Sequence, residues 1–343
     1  MRDNSSATVP VRPVIPSPTT SGAGSPHGAA SPAGIWWGLL GVVAFSFTVP
    51  FTRLAVEGLS PLFIGSARAV LAAVLAAAAL LLTRQRLPRG VQWLRLAVVA
   101  GGVVVGFPML TSFALTAAPA SHGAVVIALL PAATATMAVL RGRERPRAAF
   151  WIATGAGAIA AVAFASAQPG GFGQLHGTDL LFFGAVLAAA VGYAEGGLLA
   201  RELGAWQTIS WALVLASPLM TALVVFSVSQ QPPAATPVQW AALAYLGVVS
   251  MFLGFVAWYR GLAIGPMSQV SQVQLAQPVM SICWAAVLLG EQLTWATIVG
   301  GLAVILCAGA AVRVRLNRPT VAQRSQLPVQ ADRRQRTGDS GGR

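Results

Sequence analysis

Apolar positions along this chain come in long unbroken blocks, without the strict alternation of a half-buried strand. About ten blocks can be drawn, each near the ~20 residues a helix needs to cross a ~30 Å hydrocarbon core. They run 34–52, 61–83, 96–115, 120–140, 148–166, 180–200, 206–229, 240–259, 267–289 and 294–312. Within lipid the backbone must satisfy its own hydrogen bonds, which leaves helices or a closed barrel. Barrel strands span only ~10 residues and alternate in polarity; the run 69–82 does neither. The pattern therefore predicts an all-α, polytopic membrane protein with ten transmembrane helices. Residues 1–33, rich in Pro, Ser, Thr, Ala and Gly, predict a disordered tail, and 314–343 a second, basic one.

Composition reinforces this picture. With 56% hydrophobic and 9% charged residues, and a mean hydropathy of +0.70, the chain lacks the polar groups to cover itself in water. Cys283 and Cys307 lie inside apolar blocks without metal-ligand spacing, so they predict packing and neither a disulfide framework nor a metal site.

The net charge of +13 comes from arginine alone. Arginines crowd the even-numbered loops: Arg84, Arg86, Arg89 and Arg95, then Arg141, Arg143, Arg145 and Arg147, then Arg201 and Arg260, with eight more in the C-terminal tail. The odd loops hold only Arg53. By the positive-inside rule, both termini and every even loop are cytoplasmic, in a multi-pass protein of the cell membrane. Charge dispersed in this way, with no aromatic interleaving, predicts anionic lipid as the partner and excludes nucleic acid.

Shifting the chain by 147 residues aligns Pro119 with Pro266, Ser121 with Ser268, Pro131 with Pro278 and Glu144 with Glu291. A shift of 148 aligns the stretch from Phe45 to Arg53 with that from Tyr193 to Arg201. Ordered matches at unlike residue types predict a duplication: a first repeat over 34–167 and a second over 178–313. Five helices is an odd number, so the second copy must enter the membrane from the opposite side. Inverted repeats suit secondary transport, because two pseudo-symmetric halves can open one central site to either side in turn.

These residues resemble the EamA family of the drug/metabolite transporter superfamily over 34–313. The resemblance is carried by a first helix ending in Arg53 or Arg201 and by Pro119-Ala120-Ser121 and Gly265-Pro266-Met267-Ser268, which open the fourth helices. Pro131 and Pro278 at mid-helix, then Glu144 and Glu291, complete it. Phe45-Ser46 stands where the family usually carries Trp-Gly. The resemblance implies ten helices, cytoplasmic termini, and movement, often outward, of small metabolites such as amino acids or drug-like compounds, without an ATPase. No cofactor is expected, and a homodimer is a possible assembly.

Ionisable groups at lipid depth are costly, at roughly 2.5–3.5 kcal/mol or more, so Arg68 and Glu195 become the leading candidates for substrate binding or coupling. Arg68 also resembles an arginine common at this place in the family. Either residue can instead serve as a tether between helices. A desolvated Glu195 can exchange a proton during transport. The two lie at different depths, Arg68 roughly 6 Å to one side of the midplane and Glu195 roughly 8 Å to the other, which disfavours a direct pair. The ninth block adds Gln269, Gln272, Gln274, Gln277 and Ser281, where the first half has His122, Val125, Ile127, Leu130 and Thr134. Gln269, Gln272, Gln277 and His122 are candidates to line the cavity, with Tyr193 and Trp258 to stack on the substrate or simply to pack. Pro131 and Pro278 each remove a backbone donor, predicting kinks that either gate or are static. The pairs Gly102/Gly106, Gly192/Gly196 and Gly261/Gly265 predict close helix crossings. An integral membrane enzyme would need a catalytic cluster, and a channel a pore ringed with repeated charge or carbonyls; neither pattern stands in the sequence.

Overall fold

The apolar blocks fold into helix, interrupted only by short turns, wherever the structure, a computed structural model, describes them: residues 32–142, 148–166, 177–264 and 273–316. No strand occurs among the described residues. The helices are α1 (Ala33–Ala55), α2 (Pro61–Leu82), α3 (Val91–Ala114), α4 (Ala120–Arg141), α6 (Gly177–Glu202), α7 (Ala205–Gln230) and α8 (Pro237–Ile264), with α5 (Ala148–Ser166), α9 (Ala276–Leu289) and α10 (Trp295–Leu316). The first seven named are long and apolar enough to cross a membrane; α5, α9 and α10 are shorter apolar helices over the stretches that qualify. Of the predicted tails 1–33 and 314–343, residues 32–33 and 314–316 are instead helical, as ends of the first and last helices, while 1–31 and 317–343 lie outside the described residues, as do Glu144, His176, Pro266, Ser268, Gln269 and Gln272.

Start signals set several helix ends. The Ser60 hydroxyl accepts from Phe63 N at 3.2 Å and Pro61 sits in the first turn of α2. At α8, Thr236 and Gln239 form a reciprocal capping box ahead of Pro237. Such polar caps lengthen the helices beyond their apolar blocks, so α8 begins three residues before the block predicted from 240.

Large apolar side chains also point outward, among them Leu82 at 84% and Trp295 at 80% exposure. Apolar faces on this scale match a lipid surround.

Several packing contacts between the halves recur when α1–α5 are exchanged with α6–α10, although the contact of α10 with α4 has no counterpart of that extent among the described residues. Helix α2 lies on α7, α4 on α9 and α5 on α10. Helix α1 lies on α8 as α3 lies on α6, and α1 on α9 as α6 on α4. Close crossings come from small residues. A Cβ on Gly102 would collide with the Ala188 carbonyl oxygen and sit 2.9 Å from Gly192 Cα, so α3 and α6 meet backbone to backbone. On the exchanged pair, a Cβ on Gly261 would lie 2.7 Å from Gly38 N.

Irregularities repeat as well. Helix α3 widens into a π-helix over Ala100–Gly106, and α8 over Leu246–Leu253. The closing bonds, Phe107 N to Gly102 O and Gly254 N to Val249 O, are each five residues apart and stand 147 residues from one another. Helix α4 is interrupted by a turn at Ala128 and Leu129, just before Pro131, and a turn at Gln274 and Leu275 precedes α9 and Pro278. Pro278 cannot donate to the Gln274 carbonyl; Gln277 N takes it at 3.1 Å instead. Helix α1 breaks at Phe47. There Pro50 leaves the Ser46 carbonyl without its helical donor, and the Ser281 hydroxyl of α9 donates to it at 2.7 Å.

Candidate functional site

A cavity lies where the halves meet. Its walls come from α1 (Phe45, Thr48, Val49), α2 (Arg68), α3 (Val103, Phe107), α6 (Ala189, Tyr193), α8 (Ser250, Met251, Phe255) and α9 (Gln277). Two pairs of lining residues are repeat counterparts: Phe45 with Tyr193, and Val103 with Ser250. The aromatic wall is continuous, with Phe45 and Phe255 edge to face at 4.9 Å and Tyr193 and Phe255 at 5.8 Å. In this conformation the cavity is about 30 Å³, room for a water molecule or two, so a larger guest requires the halves to part.

The polar part of the wall is small. The Thr48 and Ser250 hydroxyls bond each other at 2.7 Å across the halves. Arg68, at 1% exposure, has one long contact, Nη1 to Thr52 Oγ1 at 3.5 Å. Its Nε and Nη2, and the Gln277 Oε1, have no partner among the described residues. Such groups cost about 1–3 kcal/mol each when left unpaired, and more when charged.

Glu195 is placed apart from this cavity lining, and no bond joins it to Arg68. Its Oε1 accepts from Arg95 Nε on α3, and its Oε2 accepts from Arg141 Nε at 2.9 Å, in the last turn of α4. Arg95 Nη1 reaches on to Glu202 at 2.6 Å. The carboxylate thus gathers the ends of α3, α4 and α6 at the arginine-rich face. Arg95 and Arg141 were legible in sequence only as loop charge. Their recurrence at the same end of the bundle as Glu195 was the available signal.

The EamA-like transporter family model matches this chain twice, over residues 32–166 and 176–312. The chain belongs to the EamA-like transporter family. It is 46% identical over 284 residues to the uncharacterized transporter YdeK of Bacillus subtilis (strain 168), covering 80% of this chain and 96% of that protein. It is 27% identical over 296 residues, 85% of this chain and 96% of the relative, to a probable terminal-alkyne amino-acid exporter of Streptantibioticus cattleyicolor. A solved crystal structure, 19% identical with a TM-score of 0.58, shares the fold over 84% of this chain and all of its own.

The motif residues of this EamA chain now have physical roles. Glu291, from the second half, accepts from Ala120 N at 2.7 Å and Ser121 N at 2.9 Å. It thereby caps α4 of the first half, where the open N–H groups and helix dipole favour an anion. His122, one residue on, turns away from the cavity: its Nε2 meets Asp179 Oδ1 of α6 at 2.7 Å, and its ring lies against Phe164. Trp258 is 2% exposed and lies behind Tyr193, ring centroids 6.2 Å apart. Pro131 and Pro278 are buried beside their helix interruptions. Of the glutamines named from sequence, Gln277 lines the cavity, Gln274 is buried, and Gln269 and Gln272 lie outside the described residues. Among the described residues, no three His, Cys, Asp or Glu side chains stand close enough to hold a metal ion. Thr48, Phe107, Ser250 and Phe255 were not candidates in the sequence. Ser250 carries a weak signal in hindsight, as a hydroxyl inside an otherwise apolar block.

Proposed function

We propose that this EamA protein is a secondary transporter that exports or exchanges a small organic metabolite by alternating access. Its ten transmembrane helices form two inverted five-helix halves, with both termini cytoplasmic. The observation that carries the reading is the central cavity, lined by both halves with two counterpart pairs in its wall and with room for only a water or two. A site on the exchange axis keeps equivalent walls when the halves rock, so opening to one side and then the other needs no rebuilding of the site. The π turns, repeated at counterpart positions, and the glycine crossings of α3 on α6 and α8 on α1 support such rocking.

The test is counterflow. Purified full-length protein is reconstituted in liposomes loaded with a compound found by comparing accumulation in cells with and without expression. Saturable exchange, accelerated by the same compound on the opposite side, is the expected result. Current that grows linearly with concentration under voltage clamp would instead make the protein a channel, and chemical conversion of the compound would make it an enzyme.

A further inference from the structure

We infer that Arg68 is the recognition point for a carboxylate, and that the substrate carries a net negative charge on an apolar or aromatic body. The inference deepens the transporter reading and rests on it.

The chain has nine acidic residues, and each one within the described residues is engaged away from Arg68. Glu57 pairs with Arg53, Asp179 with His122, Glu195 with Arg95 and Arg141, Glu202 with Arg95, and Glu291 with two backbone N–H groups. The segment 265–272, which precedes the described part of the ninth block, contains no acid in its sequence. Arg68 is thus a buried guanidinium whose Nε and Nη2, along one edge, meet no acceptor among the described residues. That edge is the fork that binds a carboxylate through two parallel bonds. Helix tethering, the alternative role, would show carbonyl or carboxylate acceptors on those nitrogens.

The rest of the wall selects further. It offers no carboxylate to an ammonium group, so a zwitterion would bury an unpaired positive charge beside Arg68, and an amine would add like charge to like. Phe45, Phe107, Tyr193 and Phe255 provide stacking faces for the body of the guest. The Gln277 Oε1, also unpartnered, can accept from a neutral hydroxyl or amide on the same molecule.

The probe is a charge series on one skeleton: 3-phenylpropionate, phenylalanine and phenethylamine, with hexanoate and hexylamine as an aliphatic pair. Each is titrated into the purified full-length protein, following thermal stability in chloride and in gluconate buffer. The acids should stabilise saturably and the amines should not, with phenylalanine at least tenfold weaker than phenylpropionate. Arg68→Met should weaken the acids by roughly ten- to a hundredfold, the range of a lost charge-assisted pair, and Arg68→Lys should retain part of the response. The ordering in the unmutated protein needs no variant to fold. Equal or better binding of phenylalanine or an amine overturns the proposal, as does an unchanged response in Arg68→Met. So does stabilisation by chloride alone, or no response to any acid. Saturable counterflow of a cationic compound sinks the carboxylate site and leaves the carrier standing. Acid binding with no exchange of that acid sinks the carrier and leaves the site.

Discussion

Glu195 holds two arginines that should contribute unequally, and the difference can be worked from burial. The Glu195 side chain is 6% exposed, Arg95 is 17% exposed and Arg141 is 58% exposed. Breaking a fully buried pair by removing one partner costs roughly 3–5 kcal/mol. Arg95 is partly solvated and keeps Glu202 when Glu195 is lost, so its coupling to Glu195 should fall to about 2–3 kcal/mol. Arg141 lies mostly in solvent or at the headgroup level, where screening reduces an ion pair to about 0.5–1 kcal/mol. Double-mutant cycles of Glu195→Gln with Arg95→Met and with Arg141→Met, read by reversible unfolding in mixed micelles, measure both couplings. Raising the salt from about 0.05 to about 0.5 M should erase most of the Arg141 coupling and leave most of the Arg95 one. An Arg141 coupling equal to or above that of Arg95 would refute the assignment of Arg95 as the buried partner.

Two further outcomes follow from the helix interruptions and caps. Ser281→Ala should cost about 1–2 kcal/mol, because the Ser46 carbonyl loses its donor; in a Pro50→Ala background residue 50 regains an N–H for that carbonyl, and the same substitution should cost almost nothing, as thermal unfolding of the four proteins would show. Glu291→Ala should destabilise by about 1–3 kcal/mol through loss of the two cap bonds to α4, and Glu291→Gln by less, since one acceptor oxygen remains; equal losses would show that the cap charge plays no part.

Much of the architecture was readable in the residues because lipid is a demanding solvent. Unbroken apolar blocks admit helices and little else, so α1 to α4 and α6 to α8 fell close to their predicted limits. Matches between Phe45 and Tyr193 were visible as a shift in the string, and both rings do face the cavity. Arg68 stood out because nothing else charged lies at its depth on α2. Partnerships were less legible. Arg95 and Arg141 sit at helix ends where sequence reads only as orientation charge, and their convergence on Glu195 depends on how α3, α4 and α6 splay. The turn of His122 toward Asp179 is likewise set by the rotation of α4, which a helix apolar on every side does not reveal. The π segments of α3 and α8 were hidden for the same reason, since a uniformly greasy stretch has no stripe whose slip could betray an extra residue.

Those wide turns have a mechanical corollary. A π turn stores one surplus residue per winding, so tightening it to ordinary α geometry swivels the remainder of the helix by about 100° and shifts it lengthwise by about 1.5 Å. Phe107 sits just beyond the widened part of α3, and Phe255 just beyond that of α8, both on the cavity wall. Each half thus places a wide turn just before an aromatic ring of the cavity wall, so any change of winding there re-aims that ring and must carry the packing of the rest of the helix with it.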